Sequence, residues 1–364
     1  CGDARAELAI QWGRWAAHAT GNRRAEIMAL TQQGVLHMER GQWDPSRKAF
    51  EEAMALAKAA RDEDFQAALL NNLGYLALEQ NRLDEAEGHL HRALAIEQRL
   101  GKMNDIAITL NNLAVSAKHR GNHALAAQHY QKVLETMRAN GDRWGESMAE
   151  NNLGDAALAM GNFQEAARHF SKSLQLKRAI GHRTGTIIPL ANLGILARVQ
   201  GEATRAEAYL REALELCREL KRKPLEPIIL QQWGALALAQ RKPSEALLHF
   251  QEAARLHEQL QNRTQRADAL AGCAEALLQR RDWTGAERFL NQARTLDPKA
   301  LFVLRAEAEL AWHRHRIDEA RAILQRALAL ARLEAPEEVP ELEKRLARGT
   351  PPQGFESKAV NAKT

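Results

Sequence analysis

The chain has 364 residues, of which 45% are hydrophobic and only 5% aromatic. Alanine and leucine dominate, which favours helices packed closely through small side chains, and the lack of any run of 18 apolar residues excludes a membrane span from the body of the chain. The 51 basic and 46 acidic residues give a net charge of +5, and both signs are mixed along the chain, which favours solvated helix surfaces over a nucleic-acid footprint.

The chain opens with Cys1, in the stretch "CGDARAEL". This opening resembles the N-terminus of a mature bacterial lipoprotein, where a signal peptide is cut before a lipid-modified cysteine, and the resemblance implies lipidation at Cys1. The alternative is a fragment boundary that falls at a cysteine. Asp3 to Thr20 is predicted to form a capping helix with Trp12 and Trp15 as packing anchors, and residues 1–26 form the first segment.

A repeat fills the chain from residue 27 to about residue 334. The stretches "LLNNLGYLAL", "TLNNLAVSAK" and "AENNLGDAAL" return every 40 residues. Within each unit, position 8 is small, position 15 is a turn residue, position 20 is almost always alanine and position 24 is bulky, which is the spacing of two helices, A and B, joined by a turn. Eight units result: 27–66, 67–106, 107–146, 147–186, 187–226, 227–266, 267–300 and 301–334.

This pattern resembles the tetratricopeptide repeat family, whose consensus has small residues at positions 8, 20 and 27 and large ones at 11 and 24. The 40-residue units are similar to the longer variant of kinesin light chains and Leu-Gly-Asn-type adaptors, and the six extra residues are expected to extend helix B and its connection. The resemblance implies an all-α fold, a right-handed superhelical solenoid of antiparallel helix pairs. Residues 335–364 are expected to be a largely disordered tail with at most a short helix near Glu341 to Arg348.

Positions 2, 5, 9 and 12 of helix A are predicted to turn toward the inside of the solenoid, with position 6 at their border. In the family this concave surface binds extended peptides. Carboxamides fill positions 5 and 6, and a carboxamide both donates and accepts hydrogen bonds, as an extended backbone requires. The predicted peptide-binding set comprises these amides and two isolated charges: Gln32, Asn71, Asn72, Asn111, Asn112, Asn151, Asn152, Asn192, Gln232, Lys118 and Arg198.

Apolar residues accompany the amides and suggest a partner segment with alternating apolar side chains. They occupy position 2 (Met28, Ala68, Ile108, Met148, Ile188, Ile228) and position 12 (Leu78, Leu158, Leu238). An alternative stays open, in which the amides only bond neighbouring helices across each repeat junction. The lysine and asparagine pairing of the family's carboxylate-clamp adaptors is missing from positions 5 and 9, so binding of chaperone C-termini is not expected.

The remaining reactive residue types predict no metal, no cofactor and no enzymatic activity. His89, His129, His169 and His249 recur at position 23, one per unit, without the spacing of metal ligands. Cys217 and Cys273 lie in different repeats and are interpreted as helix-packing thiols. No glycine loop for phosphate and no nucleophile elbow occurs in the sequence.

The sequence therefore predicts a non-enzymatic scaffold that binds a protein or extended peptide segment in its concave groove. Through a lipid on Cys1 it would sit at the periplasmic side of a bacterial envelope membrane, the outer membrane rather than the inner, and assist assembly or recruitment of an envelope complex. One alternative is a soluble cytoplasmic adaptor or peptide sensor. Another is an RNA-binding helical repeat, motivated by a pI of about 9.2, although the reading positions are too uniform for a code of one base per repeat.

Overall fold

A computed structural model describes the backbone of residues 2–347 and the side chains of residues 7–347, except those of Glu334 and Glu337. Cys1, the predicted lipidation site, and residues 348–364 lie outside the described residues. The described part holds 18 α-helices, two short 3-10 helices and no strand, so the fold is all-α. The chain divides at Met160 and Gly161 into two compact units, unit 1 and unit 2.

Unit 1 contains eight helices of similar length. They are α1 (Gly2–Ala19), α2 (Arg23–Glu39), α3 (Trp43–Ala59), α4 (Glu63–Glu79), α5 (Leu83–Leu100), α6 (Met103–His119), α7 (His123–Ala139) and α8 (Arg143–Ala159). Helices α2, α4, α6 and α8 are the A helices of four repeats, and α3, α5 and α7 are B helices.

Unit 2 continues the alternation with helices of less uniform length. They are α9 (Phe163–Ala179), α10 (Ile187–Val199), α11 (Ala203–Glu219), α12 (Glu226–Ala239), α13 (Pro243–Gln259), α14 (Arg263–Gln279), α15 (Trp283–Leu296), α16 (Leu301–His313), α17 (Ile317–Glu334) and α18 (Val339–Leu346), with 3-10 turns at Arg183–Thr186 and Pro336–Glu338. Helices α10, α12, α14 and α16 are A helices.

The six residues by which a 40-residue unit exceeds a 34-residue unit lengthen both helix A and helix B. From the sequence, they were expected to extend only helix B and its connection. Helix B has 17 residues in α3 against 14 in α15, and helix A has 17 in α4 against 13 in α16. The local reason is a capping residue: the Asp62 carboxylate accepts the Phe65 backbone N–H and starts α4 one turn before the predicted unit.

Close packing of helix A on helix B rests on position 8. A Cβ added to Gly74 would lie 2.7 Å from Leu90 Cγ, and one added to Gly34 would lie 2.5 Å from the Phe50 ring. The bulky residue at position 24 therefore fills the space left by the glycine of its own repeat. Overpacking this contact destabilises the repeat, which explains the small residue.

Tight turns separate the helices and use left-handed backbone conformations. Gly41 (φ +68°) and Gly101 (φ +68°) end the first A helix and the second B helix. Residues other than glycine take the same conformation elsewhere, including Arg61 (φ +53°), Arg241 (φ +58°) and His315 (φ +60°). Side chains at such positions are strained relative to glycine, so the turn is imposed by the packed helices on either side.

Helix α1 caps unit 1, but its tryptophans are not packing anchors. Trp12 and Trp15 are 67% and 66% exposed and meet edge to face at 5.9 Å. The helix instead turns Ala17 inward and forms an ion pair from Arg14 to Glu52 at 2.9 Å. The prediction was wrong because the apolar stripe of α1 does not coincide with the face that contacts its neighbours.

Candidate functional site

The exposed surface of the A helices in unit 1 carries apolar side chains at one repeat position. Met28, Ile108 and Met148, all at position 2, are 51%, 55% and 42% exposed. On α4, position 2 is Ala68, and the large exposed side chain is Tyr75 at position 9 instead. We call positions 2, 6, 9 and 13 of α2, α4, α6 and α8 the A-helix face, because residues four and seven apart lie on one side of a helix.

The A-helix face is rotated from the predicted one by about 50°, since successive helix residues turn by about 100°. Position 12, predicted to line the surface, is buried at Leu78, Leu158 and Leu238. Position 5 is buried at Asn71 and Asn151. These five residues are therefore removed from the exposed surface and belong to the packing between helices.

Asn71 is the centre of a buried polar network between α4, α5 and α6. Its Nδ2 donates to Thr109 Oγ1 at 2.7 Å, and the Thr109 hydroxyl donates to Glu97 Oε1 at 2.9 Å. Burial raises the pKa of Glu97, and the bond from Thr109 offsets part of that rise. The network pairs Asn71, Thr109 and one Glu97 oxygen at a repeat junction, which is the structural alternative for position 5.

The amides at position 6 connect one A helix to the next. Asn112 Nδ2 donates to Asn71 Oδ1 at 2.5 Å, and Asn152 Nδ2 donates to Asn111 Oδ1 at 3.2 Å. Asn112 and Asn152 are half-buried, and these bonds use one of the two N–H groups of each carboxamide. Each amide keeps its oxygen and a second N–H as chemical groups that a bound backbone can use.

The other predicted amides lie at different depths. Asn72, Asn111, Asn192 and Gln232 are half-buried, whereas Gln32 is exposed. The structure thus brings the position 6 amides of unit 1 to the A-helix face and withdraws Asn71 and Asn151 from it.

A pocket of about 220 Å³ lies where α6, α7 and α8 meet, and it opens beside the amide of Asn152. Its polar lining includes Lys118, Asp155 and Tyr130. Burial raises the pKa of Asp155 to about 6, and the positive charge of Lys118 offsets part of this rise. Burial also raises the pKa of Tyr130, so its phenol stays neutral. Lys118, a predicted site residue, therefore lies in a formed recess and not on open surface.

Arg198, the second predicted charge, is part of a buried ionic cluster in unit 2. Its Nη2 lies 2.9 Å from Glu338 Oε1, and Arg305 Nη1 lies 2.6 Å from Glu338 Oε2. Sequence reasoning missed Glu338 because it falls in the segment expected to be a tail. A signal was available in Arg305, which puts a charge at position 5 where the other units have small or amide residues.

The two described cysteines and the position 23 histidines His89 and His249 are buried or largely buried. Cys217 and Cys273 are buried free thiols, and burial raises their pKa values to about 11 and about 12. Burial lowers the pKa of His89 and of His249, so both favour the neutral ring. Within residues 2–347, no group of three or more histidine, cysteine, aspartate or glutamate side chains is placed to hold a metal ion, and none of the helices is long and apolar enough to cross a bilayer.

Sequence profiles described as tetratricopeptide repeat match residues 25–99, 105–179, 145–219 and 186–259, and a second profile of the same description matches residues 232–300. The chain belongs to the tetratricopeptide repeat family. No curated protein matches the sequence significantly. Tetratricopeptide repeats typically form non-catalytic scaffolds, and no catalytic family was identified for this chain.

Three solved structures show the same repeat fold. BtubC (BKLC) from P. vanneervenii is 21% identical over 60% of this chain and 91% of its own, with a TM-score of 0.54. A Rap protein complexed with Competence and Sporulation Factor is 13% identical over 88% and 96%, with a TM-score of 0.58. A STAND protein with a tetratricopeptide repeat sensor, from Pyrococcus horikoshii, is 18% identical over 77% of this chain and 44% of its own, with a TM-score of 0.61. At these identities the likeness shows the fold alone, the solenoid of tetratricopeptide helix pairs.

Proposed function

We propose that this tetratricopeptide scaffold is non-enzymatic and binds a protein segment along the A-helix face of unit 1. The observation that carries the proposal is the exposure of Met28, Ile108 and Met148 at one repeat position. A side chain that only packs the repeat would be buried, as the equivalents at positions 8 and 24 are. Large apolar groups in a row on a surface mark a place where another chain is bound.

The amides beside this row supply the polar part of the interaction. Asn112 and Asn152 are fixed by their bonds to Asn71 and Asn111, so little side-chain freedom is lost when a partner is bound. Their remaining oxygen and N–H groups fit the backbone of an extended segment. A partner segment with apolar side chains on one side and free backbone groups on the other satisfies both features.

Peptides selected from a random display library against the full chain provide probes for this surface. We expect the selected peptides to carry two or more apolar side chains, and we expect Ile108→Ser with Met148→Ser to weaken their binding by tenfold or more, on the order of the loss of two buried apolar contacts. Titration calorimetry with synthetic copies of the peptides measures the change.

Leu248→Ser is the matched control, because Leu248 is equally large, is 67% exposed and lies on the B helix α13. Peptides that bind the Leu248→Ser chain normally and the double variant weakly support the proposed surface. Peptides that bind both variants as tightly as the wild-type chain would show that the apolar row is not the binding surface.

We further propose that a lipid on Cys1 holds the scaffold at a bacterial envelope membrane. Leu8, Trp12 and Trp15 support a membrane-facing side of α1, because they are exposed and spaced four and three residues apart. Tryptophan is favoured at the boundary between lipid and water. A soluble cytoplasmic adaptor is the alternative function.

Expression of the full-length gene with Cys1→Ala separates the two. The tether requires that the substituted protein move from the membrane fraction to the soluble fraction, and that metabolically added radioactive palmitate label only the unsubstituted protein. Equal partitioning of both proteins would contradict the tether and favour the cytoplasmic adaptor.

A further inference from the structure

In unit 2 a segment near the end of the described residues covers part of the A helices. This segment, Ala335–Leu346, consists of the 3-10 turn and α18, and we call it the C-terminal strap. Its Glu338 carboxylate contacts Arg198 on α10 at 2.9 Å and Arg305 on α16 at 2.6 Å. The glutamate thus joins two helices that are separated by more than 100 residues of chain.

The Glu338 carboxylate is the partner that Arg198 and Arg305 share. Glu275 on α14 takes the other side of the Arg305 guanidinium, with Glu275 Oε2 2.8 Å from Arg305 Nη2. The side chains of Arg305 and Glu338 are only 6% and 5% exposed. Burial alone would raise the pKa of Glu338, but Arg198 and Arg305 outweigh it and hold the pKa below its ordinary value. Arg345 of the strap joins the same network, 3.4 Å from Glu275 Oε1. Glu338 is the ion-pair partner of Arg198, whose side chain is only 14% exposed, so removing Glu338 takes the partner away from a largely buried charge.

Arg198 also has binding capacity that Glu338 does not use. Its side chain is 14% exposed, and its buried Nε has no hydrogen-bond partner among the residues that the structure describes. A second carboxylate oxygen, or a differently oriented carboxylate, could accept from this donor.

The rest of the strap is held by an apolar anchor and by Arg345, whose Nη1 lies 3.4 Å from Glu275 Oε1 on α14 and 3.5 Å from Glu309 Oε2 on α16. Leu342, four residues after Glu338 and so on the same side of the strap, is fully buried in the cluster that contains Leu301 and Leu304 of α16. At the first residue of the strap, Ala335, the chain leaves the helical conformation with φ −145° and ψ 67°. The strap is therefore a short segment attached through an extended residue, and a glutamate and a leucine four positions apart are its most buried contacts.

We propose that Arg198 and Arg305 form a binding site for the acidic side chain of a helical peptide segment, and that the C-terminal strap is the resident occupant of this site. The ligand is a segment with a glutamate followed four residues later by leucine or a similar apolar residue. Such a segment replaces the two most buried contacts of the strap and returns a carboxylate to Arg198 and Arg305. The proposal rests on the proposed role of the chain in binding protein segments, but it concerns unit 2 and residues that the unit 1 experiment does not alter.

A synthetic fluorescein-labelled peptide that copies residues 333–347 is the probe, and fluorescence anisotropy with the full chain is the measurement. In the wild-type chain the resident strap competes with the probe. The Glu338→Gln chain is expected to bind the probe about 30-fold more tightly or better, because the loss of one partner from a buried charge pair costs the strap about 2 kcal/mol or more. Adding Arg198→Gln to that chain should abolish the gain.

Glu343→Gln is the matched control, since Glu343 is an exposed carboxylate on the same helix whose contact is Arg332 at 3.4 Å. That chain should bind the probe as weakly as the wild type. A probe carrying E338Q should bind the Glu338→Gln chain about 30-fold less tightly than the unchanged probe. Equal affinity of the wild-type and Glu338→Gln chains, or of the two probes, overturns the proposal.

Circular dichroism establishes whether the Glu338→Gln chain keeps its helices. If it does not, Leu342→Ala takes its place, because this change keeps every charge and weakens only the apolar anchor of the strap. The Leu342→Ala chain must also bind the probe more tightly than the wild type, and a failure to do so overturns the proposal. The double variant Ile108→Ser with Met148→Ser must bind the probe with the affinity of the wild type. Failure of the proposed unit 1 surface can therefore be distinguished from failure of the proposed Arg198 and Arg305 site in unit 2.

Discussion

Replacing Asn71 with alanine tests whether the two neighbouring amides of each repeat have different roles. The change removes the bond to Thr109 at 2.7 Å and the bond from Asn112 at 2.5 Å. Each bond contributes about 1 kcal/mol, and alanine recovers about 0.5 kcal/mol of helix propensity, so the net loss in unfolding free energy is about 1.5 kcal/mol. Urea unfolding followed by circular dichroism measures this loss, and hydrogen exchange should locate it in α4 and α6.

Asn72→Ala is the internal control, because Asn72 is the next residue of the same helix and is half-buried. We expect its unfolding free energy to stay within about 0.5 kcal/mol of the wild type. The assignment of position 5 to the repeat junction is refuted if Asn71→Ala lowers the unfolding free energy by no more than Asn72→Ala does.

Three further predictions concern burial, packing and turns. His257 is buried, and burial lowers its pKa to about 4. Between about pH 6.5 and about pH 4, His257 is therefore protonated only in the unfolded chain. The unfolding free energy then falls by up to about 1.4 kcal/mol for each unit by which the pH is lowered. Comparing urea unfolding of the wild type and His257→Gln across this range should show the smaller acid loss in the variant, and parallel curves would contradict it. Gly74→Ala places a Cβ 2.7 Å from Leu90 Cγ and should cost about 1–3 kcal/mol of unfolding free energy, which a midpoint shift in urea would reveal. Gly141→Ala, at φ +68°, should lower the thermal midpoint of unfolding, whereas Arg61→Gly, at φ +53°, should raise the midpoint or leave it unchanged. If Gly141→Ala raised the midpoint, the turn at Gly141 would not be left-handed in solution.

The fold class and the repeat could be predicted from the sequence because both depend on packing that recurs. Gly34, Gly74 and their equivalents must be small in every unit, since each faces a bulky residue of its own helix B. A requirement that is repeated eight times produces a periodic pattern, and periodicity is what sequence reasoning detects most securely. The exposure of Met28 and Ile108 at position 2 also agrees with the apolar lining expected from the pattern.

The depth of each amide could not be predicted from the sequence. Periodicity gives the direction of a side chain around the helix only to within about 50°, which is half of the angle between successive residues. A rotation of the A-helix face by about 50° is enough to bury Asn71 and Leu78 while positions 6 and 9 stay at least partly exposed. Trp12 and Trp15 were misjudged for a related reason. Their aromatic rings suggested burial, yet the orientation of α1 is fixed by Ala17 and by the ion pair of Arg14.

Residues that depart from the repeat are the strongest guide to what distinguishes this chain from other tetratricopeptide scaffolds. Packing explains why a position is the same in every unit, but it gives no reason for a charge at a single unit. Lys118 and Asp155 are charges at positions that most units fill with apolar side chains, and both line the pocket beside Asn152. Arg305 occurs once at position 5 and binds Glu338, outside the repeats altogether. A buried charge is costly unless it is paired, so a charge in an otherwise apolar or amide position persists in a sequence only with a partner. Where the chain supplies that partner itself, as at Glu338, the geometry of the pair describes the chemistry that an external ligand must reproduce.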